Sequence, residues 1–283
     1  MPTVTTAGAK LYYEEAGAGS AVVLAHGGGG DLSQWRHQVP ALAAHHRVIA
    51  FDARGHGRSA ASTPPGRITD FADDIAELLR HLGIARAHLI GATLGGVAVL
   101  EFALARPAAV QSLVLISTAP DTTEEMRLRF EASAEVVESG DLAGFAEGFI
   151  SFIFSSDFAD SHPDDLADFR QRLERIDPAG YAASIRALGN RPDLTPRLGQ
   201  LRVPALIVTG ALDPIPTSAP GAALLAQALP NARNQVIPDA AHLPQIERPD
   251  LFNRLVLDFF AAAERQAAGT APRPPGAGHE GVA

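Results

Sequence analysis

The sequence contains no cysteine in its 283 residues. That absence excludes a disulfide framework, a thiolate nucleophile and any cysteine-ligated zinc or iron–sulfur centre. Lysine is almost missing as well: Lys10 is the only one, and arginine supplies the remaining fixed side-chain positive charge. Arginine and alanine share GC-rich codons, so this bias reads as genomic and carries no functional signal. Positive charge is in deficit overall, with 23 Lys and Arg against 32 Asp and Glu and a formal net charge of −9. Such a surface lacks the cations needed to displace counterions from DNA, RNA or an anionic membrane. Long apolar runs are absent too. The richest stretch, Leu89–Ala105, is broken by Thr93, Glu101 and three glycines, short of the ~20 consecutive apolar residues a spanning helix needs. The N-terminus has no basic start followed by an apolar run, so no signal peptide is expected. There are no internal repeats. These features lead us to expect a cytoplasmic, soluble protein with no nucleic-acid or membrane partner; they do not bear on oligomeric state, for which a monomer or homodimer is expected.

What is present suits a globular domain: 46% hydrophobic and 19% charged residues. Length alone allows two domains, or one large α/β domain. Short apolar runs alternate with longer amphipathic stretches, the pattern of βα units on a mostly parallel sheet. Strands are expected at Lys10–Glu15, Ala21–His26, Arg47–Asp52, Ala87–Gly91, Gln111–Ser117, Ala205–Gly210 and Asn234–Pro238. Helices are expected at Ser33–Ala44, Ile68–Leu82, Leu94–Ala105, Ser218–Ala228 and Pro249–Arg265. In the second helix Phe71, Ile75, Leu78, Leu79 and Leu82 share one face, and Thr69 and Asp70 are its candidate caps. The segment 121–196 differs. It is acidic and helically patterned, and it carries Phe145, Phe149, Phe152, Phe154, Phe158 and Phe169. We read it as a helical lid over a core formed by 1–120 and 197–265. Its phenylalanines suit packing of the lid on the sheet and, as a group, an apolar ceiling over a ligand. The tail 266–283, rich in Ala, Gly and Pro, is expected to be disordered.

Four segments carry chemistry. Ala87–Gly96, AHLIGATLGG, is an apolar strand, a small-residue turn and a helix start. It has the form of the G-x-S-x-G nucleophile elbow, with Thr93 at the nucleophile position. Gly91, Ala92, Gly95 and Gly96 satisfy the need for small neighbours where strand and helix cross. A phosphate cradle is disfavoured, because neither G-x-x-x-x-G-K-[ST] nor G-x-G-x-x-G occurs. Upstream, Val22–Gly30 is a strand running into four glycines, whose free amides suit an oxyanion hole or a tight turn with positive φ. Downstream, Asp213 follows one strand and His242 sits in the loop after the last. Alone, each would read as a turn residue and a solvated histidine. Together the order nucleophile, acid, base is that of a hydrolase triad.

From about Lys10 to Glu264 the chain resembles an α/β-hydrolase-fold protein. Phe51–Ser59, FDARGHGRS, is similar to the D-x-R-G-x-G-x-S stretch of that superfamily, and Trp35 and Pro40 fall where the W…P of its first helix usually lies. The likeness is greatest to the 3-oxoadipate enol-lactonase and small esterase group. The resemblance implies Thr93 as nucleophile, Asp213 as acid and His242 as base. It implies an oxyanion hole from the amides of Gly28 and Leu94, shaped by Gly27 and Gly29, with His26 and His56 as loop-shaping residues. Asp121 is an alternative acid. The implied activity is hydrolysis of an ester, lactone or related acyl bond in a small, partly apolar molecule, with no cofactor and no metal. Thr93 departs from the usual serine, and a β-branched residue at a strained elbow is uncommon. That leaves open a non-hydrolytic or C–C-bond enzyme (lyase, cyclase or decarboxylase) using His242 and Asp213 as general base, a ligand-binding non-enzyme, and an engineered Ser→Thr change.

Overall fold

The structure is a computed structural model that describes residues 2–61 and 66–270. The described residues form one nine-stranded sheet, eight strands of which follow the order β1-β2-β4-β3-β6-β7-β8-β9. They are β1 (Thr3–Thr6), β2 (Ala9–Ala16), β3 (Ala21–Ala25), β4 (Arg47–Phe51), β6 (Ala87–Ala92), β7 (Val110–Ile116), β8 (Ala205–Gly210) and β9 (Ala232–Ile237). A two-residue strand, β5 (Ala60–Ala61), pairs with β2. β1 and β2, and β2 and β4, pair antiparallel; from β4 to β9 every neighbour is parallel. The seven expected strands are present with ends shifted by at most two residues. β1 was not legible because TVTT is short and polar, and it pairs on one side only.

β3, β6 and β8 are buried along their whole length, as parallel strands covered on both faces must be. Alternate residues serve opposite faces. Val23, Leu89, Leu113 and Ile207 join one apolar cluster with α2 (Ile68–His81) and α3 (Leu94–Ala105). Val22, Ile90, Val114 and Leu206 join the other, with Trp35 and Phe252, Val256 and Phe260 of α12 (Pro249–Thr270).

Several helix expectations need correction. Ser33–Ala44 is two pieces, a 3₁₀ turn (Leu32–Trp35) and α1 (Gln38–Ala43). Pro40 cannot donate to the carbonyl of residue 36, and its ring excludes that carbonyl, so the helix restarts. Thr69 does not cap α2; it lies within the first turn with its hydroxyl unpartnered among the described residues. Asp70 is the capping group, accepting from the amides of Gly66 (2.9 Å) and Arg67 (3.0 Å). α12 continues to Thr270, so 266–270 are helical; the rest of the expected disordered tail, 271–283, lies outside the described residues. Between β7 and β8 run α4 (Glu124–Glu138), α5 (Leu142–Ile153), α6 (Ser156–Ser161), α7 (Pro163–Leu173), α8 (Pro178–Gly189) and α9 (Thr195–Leu198). α10 (Ser218–Ala228) follows β8, and the short α11 (Pro244–Glu247) precedes α12. Among the described residues no helix is long and apolar enough to cross a membrane.

Candidate active site

All the singled-out residues follow the C-terminal ends of parallel strands, where a parallel α/β sheet places its ligand crevice. β6 ends at Ala92 and α3 begins at Leu94, so the whole reversal is made at Thr93. Its backbone lies at φ 49, ψ −109, a region β-branched residues rarely adopt. The strand–helix crossing leaves no room for side chains: a Cβ on Gly91 would fall on the carbonyl of Gly95, and one on Gly95 would fall on that of Ala25. The strained turn is held by Thr93 N–H donating to Ile116 O (2.9 Å) and by the Thr118 hydroxyl donating to Thr93 O (3.0 Å). The strain is thereby overdetermined by neighbouring structure, as at functional turns.

His242 and Asp213 come together across 29 residues of sequence, with Nδ1 of the imidazole 2.8 Å from Asp213 Oδ2. An ionised carboxylate only accepts, so Nδ1 donates to it, and in a neutral ring Nε2 is then the nitrogen with the free lone pair. Burial alone would raise the Asp213 carboxyl. The neighbouring His242 and the Ile215 amide, which donates to Oδ1 at 3.0 Å, hold it below its ordinary value. Asp121 does not meet His242 in this way; its backbone carbonyl accepts from the Arg191 guanidinium.

Thr93, Gly28 and His242 line one cavity of about 510 Å³. Phe145, Phe149 and Phe152 of α5 form part of its wall, as do Tyr181 and Ile185 of α8. Phe154, Phe158 and Phe169 instead pack on one another, with ring centroids 5.2 Å apart in both the Phe154–Phe158 and Phe154–Phe169 pairs. The six phenylalanines thus divide between lining and packing.

Residues 20–249 match the alpha/beta hydrolase fold family. The chain belongs to that family. A relative from Azorhizobium caulinodans, under the name of a carbamate hydrolase, RutD, is 31% identical over 265 residues, spanning 92% of this chain and 98% of its own. The enol-lactonase from Burkholderia xenovorans superposes with a TM-score of 0.86 at 31% identity, covering 92% of this chain and 100% of that one. A thermophilic esterase from Thermogutta terrifontis superposes with a TM-score of 0.87 at 29% identity, covering 93% and 98%. The protein is therefore an enzyme of the α/β-fold hydrolase type.

In this hydrolase the glycine loop after β3 is pinned from three sides. Gly27 N–H donates to Gln34 Oε1 (3.0 Å), Gly30 N–H donates to Gly27 O (3.1 Å), and His26 Nδ1 lies 2.7 Å from Gly27 O. His26 Nε2 accepts from Ala53 N–H at 2.9 Å, which fixes the proton on Nδ1. Burial lowers the pKa of His26, so the ring stays neutral. Among the described residues the amides of Gly28 and Leu94 have no acceptor within the protein. Leu94 is the first residue of α3, so its amide belongs to the positive end of a helix.

Sequence reading missed three contributors. Gln34 accepts from the amide of Gly27, and Glu247 from those of Ala241 and Ser155; neither carries a motif. Arg191 lines the cavity while its guanidinium clamps the two ends of the α4–α9 insertion. Nη2 donates to Ala119 O (3.0 Å) and to Asp121 O, and Nη1 to Leu188 O (2.7 Å) and to the Thr122 hydroxyl. Burial pushes its pKa down to about 10. A lone arginine after a helix gives no sign of such a role in one dimension.

Proposed function

We propose that this hydrolase cleaves an ester or lactone bond of a small, partly apolar molecule through a Thr93–His242–Asp213 triad. The observation that carries the reading is the 2.8 Å His242–Asp213 pair on the same cavity as a threonine held at φ 49. Thr93 Oγ1 attacks the acyl carbon while His242 Nε2 takes its proton. The carbonyl electrons move onto oxygen, where the Gly28 and Leu94 amides stabilise the negative charge. Collapse of the tetrahedral species expels the alkoxide, which leaves with the proton from His242. Water then attacks the acyl-threonine by the same route in reverse, with His242 again taking the proton. Asp213 holds the tautomer and stabilises the imidazolium. No step calls for a cofactor or metal. The segment 121–196 serves as the lid, its α5 and α8 side chains forming the ceiling of the acyl pocket, and 1–120 with 197–265 as the core.

The hydroxyl of Thr93 lies against Gly27: a Cβ there would meet Oγ1 at 2.5 Å. It therefore sits beside the glycine loop that supplies the oxyanion hole. The β-branched elbow also favours a second reading, in which His242 and Asp213 act as general base on substrate without an acyl-enzyme and Thr93 only donates a hydrogen bond. Intact-mass measurement after mixing with an activated ester separates them. An acyl adduct located at Thr93 supports the triad; turnover without any adduct, unaffected by removing the hydroxyl, overturns it.

A further inference from the structure

We propose that Glu247 is a positioning residue for His242, tying the loop that carries the base to the helical insertion; this rests on His242 being the base. The carboxylate is 3% exposed and bridges two backbone segments. Oε1 accepts from the amide of Ala241, the residue before His242, at 2.9 Å. Oε2 accepts from Ser155 twice, from its hydroxyl at 2.5 Å and its amide at 3.2 Å. Ser155 is the N-cap of α6, directly after α5, whose side chains wall the cavity. A second tie runs in parallel, since His242 N–H donates to Ile153 O at 3.0 Å.

The loop needs such support. It leaves β9 through Asp239, a non-glycine residue at φ 52. It then presses so closely on β8 that a Cβ on Gly210 would fall on the carbonyls of Ala240 and Ala241. On the sheet side it is held by Leu212 N–H donating to Ala240 O at 2.9 Å. On the other side its register is set against the insertion, through Ile153 and Glu247. A carboxylate suits that place because it only accepts and three donors converge on it. A carboxamide has one accepting and one donating end. With its oxygen kept on Ala241 N–H, its NH₂ faces Ser155, where the hydroxyl can turn to accept but the amide cannot. With the ends exchanged, the NH₂ faces Ala241 N–H. In either orientation one backbone amide loses its acceptor and that arm weakens. The base then loses its alignment although Asp213 and His242 are both intact.

The test uses the full-length protein with p-nitrophenyl butyrate as probe ester, comparing Glu247→Gln, Ser155→Ala and His242→Ala. His242→Ala identifies the imidazole Cε1–H resonance of His242 by its disappearance. We expect Glu247→Gln to lower kcat on the order of 10–100-fold, the scale of a small misplacement of a catalytic group, with KM changed less than about threefold. Ser155→Ala, which keeps the Ala241 arm, should lower kcat by less, and both variants should shift or broaden the His242 resonance. A Glu247→Gln protein with a lower Tm but unchanged kcat and an unmoved His242 resonance would overturn the proposal, because a merely structural role predicts that pattern. Should Glu247→Gln not fold, an unmoved His242 resonance and unchanged kcat in Ser155→Ala overturn it equally. Failure of the triad reading is distinct: His242→Ala would keep its activity, while the resonance would still report whether Glu247 positions the ring.

Discussion

At the scale of single residues, the proposed chemistry turns on Thr93. Its γ-methyl adds bulk at an elbow already at φ 49. Removing the hydroxyl should be ruinous: Thr93→Ala is expected to lower kcat on the order of 10⁴–10⁶-fold, with residual turnover from the oxyanion amides. Thr93→Ser should keep or raise kcat/KM, since it loses the methyl and relaxes the turn while keeping the nucleophile. Both are read on one ester substrate with intact-mass analysis; a Thr93→Ala enzyme within tenfold of wild type (about 1.4 kcal/mol) would remove the nucleophile assignment. His242→Ala should likewise abolish turnover, and Asp213→Asn should cost about 10⁴-fold by favouring the wrong tautomer. His56→Ala, by contrast, should act on stability, since His56 is 3% exposed with Nδ1 3.0 Å from Arg54 O.

At the scale of elements, the glycine loop after β3 packs against the elbow, and two adjacent glycines should respond differently. A Cβ on Gly27 meets Thr93 Oγ1, whereas one on Gly28 meets the end of the Ile185 side chain at 2.7 Å, which can swing away. Gly27→Ala is therefore expected to lower kcat by about 100-fold or more through displacement of the hydroxyl. Gly28→Ala should mainly raise KM by narrowing the cavity. Equal effects of the two on kcat would argue against the loop as we describe it. The insertion between β7 and β8 is fastened at its base by Arg191. Arg191→Met leaves the carbonyls of Ala119, Asp121 and Leu188 without that donor. It should destabilise the protein by about 2–3 kcal/mol and speed limited proteolysis within 121–196. Unchanged urea stability and cleavage would show that the clamp is dispensable.

At the scale of the molecule, buried histidines make the fold acid-sensitive. Burial lowers His56 and His88 from an ordinary 6.5 to about 4. His88 is enclosed by Ser112 at 2.7 Å, Glu264 at 3.3 Å and a stacked Phe260, so it joins α12 to the sheet. A group with a depressed native pKa binds fewer protons folded than unfolded. Stability is therefore fully present above pH 6.5 and is lost as pH falls toward about 4. Asp213 and Glu264, also lowered in the native state, add loss in the same direction at more acidic pH, while Asp52 and Glu247, raised by burial, oppose it in part. The urea midpoint should fall steadily between those limits. A midpoint equal at pH 7.5 and about 4.5 would mean that the histidines are not buried neutral.

The sheet was legible in the sequence, and so were the residues for which we propose the chemistry. Apolar runs buried on both faces, such as AVVLA and ALIVTG, announce parallel strands whatever surrounds them. Thr93 was legible because an elbow needs small residues on both sides, a local constraint written within six positions. Only the tertiary structure decided what depends on contacts distant in sequence. It set Asp213, and not Asp121, beside His242, split the phenylalanines into lining and packing, and placed Gln34, Arg191 and Glu247 against their backbone partners. Gln34 reaches back to Gly27 in the same loop, whereas Arg191 and Glu247 also bind segments far along the chain; contacts made to backbone amides and carbonyls leave no periodicity, spacing or composition for a linear reading to find.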